Sequence, residues 1–103
     1  MAVTAYDGKT PVFFFGVTSC GEYADDRKEP PQTGRNGADQ FYVAGWLSAA
    51  NLYQPGKMFL ADGDVPSAML WLDNYCKASP FSSLQAGLME LVRQLAASPI
   101  PKP

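Results

Sequence analysis

Phe81, Leu84, Leu88, Leu91, Val92 and Leu95 recur at three- and four-residue intervals, the strongest periodic signal in the chain. Residues so spaced share one face of an α-helix, and such a stripe is stable in water only where another element covers it. The spacing predicts an amphipathic helix ending near Ala97, and the rest of the chain has to supply its cover. Ser79-Pro80 reads as its start, a cap followed by Pro at the first helical position. The Pro-rich tail, 98–103, cannot continue it.

Three further helices are predicted upstream. Ser19 is an N-cap with Glu22 three residues on, the pattern of a capping box, and acidic residues precede basic ones through Lys28. Glu29 to Gly37 carries two prolines and two glycines and reads as a flexible surface loop. Ala38 to Tyr53 then forms a helix with almost no polar face, which places it at the centre of the fold. Gly45 lies inside it, where glycine is unfavourable unless a neighbouring helix approaches closely. In the third helix Asp64 is the cap and Pro66 lies in the first turn. Val65, Ala68, Met69, Leu72, Tyr75 and Cys76 form its buried stripe, with Trp71 at the boundary.

Residues 2–17 differ from all this. Asp7-Gly8 between β-prone stretches is a hairpin signal, although Pro11 limits pairing. Phe13, Phe14 and Phe15 would place rings on both faces of a strand, so they either cover the helical core or form a surface for a client or partner. At 103 residues the chain is one domain. The expected fold class is all-α: a small four-helix domain over 18–97, a short β-prone N-terminal arm over 1–17 and the Pro-rich tail.

Cys20 and Cys76 are the two cysteines, too far apart for a C-x-x-C redox or zinc motif. They are either two buried free thiols or one disulfide joining the first helix to the third. The disulfide is the stronger reading, because closing a loop of that length stabilises a domain by about 4 kcal/mol. A disulfide also implies an oxidising compartment.

The chemistry that the sequence disfavours is extensive. There is no histidine, the commonest general base near neutral pH and the commonest transition-metal ligand. Serines are present but none sits in a nucleophile elbow with a base. Asp62-Gly63-Asp64 lacks the further ligands of a calcium loop, and Gly34-Arg35-Asn36-Gly37 is a turn rather than a phosphate-binding loop. Asp25 and Asp26 are adjacent, point about 100° apart on a helix and read as a solvated face. The expectation is a non-enzyme with no cofactor and no metal. A net charge of −2 disfavours nucleic acid, and no apolar run approaches the ~18 residues of a membrane span. With no histidine, a response to pH is expected to run through carboxylates and so well below neutral.

Several of these features occur together in a familiar order. Cys20 opens a short helix; Gly45-Trp46-Leu47-Ser48 and Asn51 lie in an apolar helix; Trp71-Leu72-Asp73-Asn74-Tyr75-Cys76 and Ser79-Pro80 precede a final amphipathic helix. Over residues 18 to 97 this resembles the HdeA/HdeB-type family of small periplasmic helical proteins. The resemblance implies a mature, exported, disulfide-bonded domain of a Gram-negative bacterium. Within it Gly45, Asn51, Asp73, Asn74 and Tyr75 are structural, with Asn51 capping backbone groups or meeting a partner. Well-known members resemble switches, dimeric near neutral pH and opening in acid to hold denaturing proteins. This chain differs in lacking lysine-rich ends and in carrying the arm. Its plan is also similar to that of small periplasmic immunity proteins, without a specific residue match.

Two functions follow as expectations. One is a stress- or acid-responsive holding chaperone: acid would carry the net charge from −2 toward +8 and expose Phe13, Phe14, Phe15 and Trp46. The other is a dedicated protein-binding module, such as an immunity protein or a subunit, using the same residues and Trp71. Protein clients, one protein partner or a homodimer are the expected associations.

Overall fold

Ser19 begins the first helix as its sequence predicts. In a computed structural model describing residues 8, 9, 11, 17–53 and 64–97, its Oγ accepts the Glu22 N–H at 3.0 Å. Glu22 Oε1 in turn accepts the Ser19 N–H at 3.3 Å, which completes the capping box. Four helices follow in order: α1 Cys20–Asp26, α2 Gly34–Tyr53, α3 Val65–Ala78 and α4 Leu84–Ala97. No strand occurs among the described residues. An isolated antiparallel bridge, Ser19 to Ser83, ties the start of α1 to the start of α4 through Cys20 N–H to Ser82 O and Leu84 N–H to Thr18 O. The arm, including Phe13, Phe14 and Phe15, and the tail lie outside the described residues, apart from Gly8, Lys9, Pro11 and Val17. Val17 is buried and already belongs to the core.

The apolar stripes of α3 and α4 meet. Ala68, Met69, Leu72 and Cys76 of α3 face Leu84, Leu88, Leu91, Val92 and Leu95 of α4, and all are buried. Close approach of these helices requires Gly87: a Cβ there would lie 2.9 Å from Tyr75 Cδ1 and 3.1 Å from Leu72 Cδ2. Asp64 caps α3 by accepting the Ser67 N–H at 3.1 Å. Cys20 and Cys76 are disulfide-bonded, with Cα atoms 5.1 Å apart, and staple α1 to α3.

Three expectations are corrected. The cap of α4 is Ser83, whose Oγ accepts the Ala86 N–H at 3.1 Å; Ser79 instead ends α3, donating its N–H to Tyr75 O. Phe81 therefore lies in the connection and is fully exposed rather than part of the stripe.

The second correction is the start of α2. It begins at Gly34, inside the segment read as loop and turn. Gly34 takes the left-handed φ of +59°, and the Glu29 carboxylate sits where a Cβ would project. That carboxylate accepts the Arg35 N–H at 3.0 Å, filling the place of a capping side chain at a helix start. Asn36 Nδ2 donates to Glu29 O at 2.7 Å and is buried. These contacts outweigh the poor helix propensity of the two glycines.

The third correction concerns the rest of α2, which is not surrounded. Val43 and Leu47 are its buried apolar residues, whereas Phe41, Leu52 and Tyr53 are exposed. A Cβ at Gly45 would meet nothing within 4 Å among the described residues, so none of the other three helices approaches there. Three short helices have too little surface to enclose a 20-residue helix on every side.

Candidate functional site

The end of α1 is held by a polar network. Arg27 donates from Nε and Nη2 to the two carboxylate oxygens of Asp73 on α3, at 2.8 and 3.0 Å. Its Nη1 donates to Asn36 Oδ1 at 3.2 Å, so one guanidinium joins α1, α2 and α3. Tyr23, fully buried, donates its hydroxyl to Met69 O at 2.9 Å. Burial, with the nearby Asp73 carboxylate, pushes its phenol far above its ordinary range. An opening of about 430 Å³ beside the disulfide is lined by Arg27 and Asp73, but these are already engaged with each other.

The residues expected at a partner surface divide. Trp46 and Trp71 are half-buried and pack against the core. The Trp46 ring lies 6.0 Å from that of Tyr42, and the Trp71 ring stacks on Tyr75 at 5.6 Å. Tyr75 also hydrogen-bonds Ser82 at 2.8 Å. Asn51 is half-buried in the last turn of α2 and Asn74 is exposed on α3. Thus Asp73 and Tyr75 hold the fold together, and the two tryptophans are more core than surface.

A second cluster went unread in the sequence. Asp25 is exposed as expected, but Asp26 is only 4% exposed, which corrects the solvated reading. It meets Asp39 of α2, itself 3% exposed. A cleft of about 340 Å³ opens here, lined by Glu22, Asp25, Asp26, Arg35, Asp39 and Tyr42 among others. Burial, then the neighbouring Asp26 carboxyl, push the Asp39 carboxyl up to about 8, against the pull of Arg35. A carboxyl so raised holds its proton at pH values where an ordinary aspartate has lost it. No local pattern announces this pair, because its members come from different helices and each has the sequence surroundings of an ordinary surface aspartate.

The third feature is apolar. Phe41 is 82% exposed, Leu52 75% and Tyr53 84%. Gly45, Ser48 and Ala49 are exposed between them, so one continuous face of α2 presents carbon to solvent. A groove of about 260 Å³ lies alongside, bounded by Phe41, Ala44, Pro31 and Val65. Monomeric proteins seldom leave such a face without a use for it. The sequence did carry the signal: a helix apolar all round exceeds the cover that three short neighbours can give.

Among the described residues no group of three His, Cys, Asp or Glu side chains is placed to hold a metal ion. No helix of theirs is long and apolar enough to cross a membrane. No protein-family model matches the chain, and no curated protein or solved structure matches it.

Proposed function

We propose that this chain is a non-enzymatic protein-binding module of an oxidising compartment, the periplasm by its resemblance to the HdeA/HdeB-type family, and that it docks a protein partner on the outer face of α2. The observation that carries this reading is the exposure of Phe41, Leu52 and Tyr53 on a fully formed helix. Large apolar side chains at the centre of an interface are its energetic anchors, and small residues between them let a partner's backbone come close. Gly45 and Ala49 occupy that position between Phe41 and Leu52. The disulfide suits export, since such bonds persist where the surroundings are oxidising.

A photo-crosslinking residue at position 41 or 52, with position 94 on exposed α4 surface as control, tests the reading in periplasmic extract at neutral pH. One discrete adduct at 41 and 52, absent at 94, supports a dedicated partner. An adduct with a second copy of the chain makes that partner itself. No adduct at either position overturns the reading.

The acid-responsive holding chaperone is the second reading. It is favoured by the eight Lys and Arg residues that stay charged once carboxylates are protonated. Its test is light scattering by a denaturing client near pH 3, with and without the protein. A holding activity would suppress the scattering, and in the crosslinking experiment it would give a ladder of many adducts rather than one.

A further inference from the structure

We propose that Asp26 and Asp39 share a single proton, and that this proton clasps α1 to the N-terminal half of α2. Both side chains are in the interior, yet Asp39 Oδ2 has no hydrogen-bond donor among the described residues. A buried carboxylate oxygen without a donor is strongly unfavourable, and two neighbouring carboxylates repel each other as well. One proton relieves both penalties. It makes one carboxyl a donor and the other its acceptor, and it leaves a single negative charge on the pair. Arg35 Nε lies 3.4 Å from Asp26 Oδ1 and offsets part of that charge, its closer partner being Glu29 Oε2 at 2.6 Å.

Burial and the neighbouring carboxylates favour keeping the proton, and the guanidinium of Arg35 opposes it. Glu22, Tyr23 and Arg27 on α1 face the pair, and Asp25 lines the same cleft. On α2 the neighbours are Arg35 and Tyr42. From α4 comes Gln85, uncharged, which donates to the Tyr42 hydroxyl at 3.3 Å. Asp73 of α3 is occupied by Arg27. The carboxylates of Glu22 and Asp26 raise the affinity of Asp39 for its proton, and the largest cause is burial.

The sign of the pH effect follows. Folding raises the affinity of Asp39 for a proton, from an ordinary value of 3.8 to about 8. The stability that the clasp contributes is complete below the ordinary value. It declines as pH rises between the two, and it is gone once the pair loses its proton. Deprotonation leaves two facing carboxylates. α1 stays fixed to α3 by the Cys20–Cys76 disulfide, the Tyr23–Met69 hydrogen bond and the Arg27–Asp73 pair. The contact between α1 and Asp39 of α2 is therefore what weakens, while the Arg27–Asn36 hydrogen bond still joins the two helices.

Carboxyl-carbon NMR titration of the full chain tests the proposal directly. The expected result is one aspartate, Asp39, that titrates near pH 8, and that titrates at a lower pH in Asp26→Asn, still above the ordinary carboxylate range because burial remains. Titration of every aspartate of the wild-type chain within the ordinary range overturns it. Thermal unfolding from about pH 6 to about pH 9 provides a second readout. The wild-type midpoint should fall with pH, while Asp39→Asn, whose amide keeps the donor without an ionisable proton, should stay flat. Equal slopes for the two proteins overturn the proposal; should the variant fail to fold, the wild-type titration decides alone.

Discussion

Arg27 and Asp73, 46 positions apart, form a two-toothed ion pair that fixes the end of α1 to the middle of α3. The guanidinium also satisfies the buried Asn36, so one side chain sets the position of three helices. Both partners are less than one-third exposed, which makes the pair more than a surface bridge. Arg27→Ala leaves a carboxylate and an amide short of donors and is expected to destabilise the fold by about 2 kcal/mol, a drop on the order of 10 °C in the thermal midpoint. Arg27→Lys keeps the charge but loses the fork and should fall between the two. Calorimetry of the three proteins checks the order.

The disulfide is buried on both sides, with Cys20 1% and Cys76 4% exposed. Native protein should therefore show no free thiol and resist reductant until it unfolds, then release two thiols after reduction in denaturant. Replacing both cysteines by alanine removes a staple spanning 56 positions, for an expected loss of about 4 kcal/mol in denaturant unfolding. Two reactive thiols in the native protein would contradict the prediction.

Two glycines should respond oppositely to alanine. Gly87→Ala drives a methyl into Tyr75 and Leu72 at the α3–α4 contact and should cost about 1–3 kcal/mol. Gly45→Ala projects into open space in mid-helix and should stabilise by about 0.5–1 kcal/mol, through helix propensity alone. Urea midpoints distinguish them.

The outer face of α2 contributes little to the fold. Phe41→Ser and Leu52→Gln are expected to change stability by no more than about 0.5 kcal/mol. The same changes should raise solubility and abolish partner binding measured at neutral pH. A large loss of stability in either variant would show that these side chains serve the core instead.

Where structure rests on neighbours in the chain, the residues announce it. Ser19 with Glu22, Asp64 with Pro66 and the spacing of Leu84, Leu88 and Leu95 each act within one or two helical turns. The Cys20–Cys76 bond was legible for another reason: only one intramolecular pairing of two cysteines exists. Ser79-Pro80 misled because a cap followed by proline is equally good chemistry for the end of α3, and Ser83 was there to start α4. Gly34 and Gly37 lie inside α2 because Glu29 and Asn36 bind across the turn, which propensity does not record.

Burial was the property that local pattern could not assign. Asp26 and Phe41 exchanged the places expected of an aspartate and a phenylalanine, one entering the interior and the other facing water. The amino-acid order was sufficient for the helices, most of their caps and the staple, because those depend on short-range hydrogen bonds, period and covalent valence. Which face of α2 found a neighbour, and which carboxyls met, was decided only when four helices had to share a small amount of apolar surface. That outcome depends on the whole set of contacts at once, and it is where the carboxyl clasp and the docking face reside.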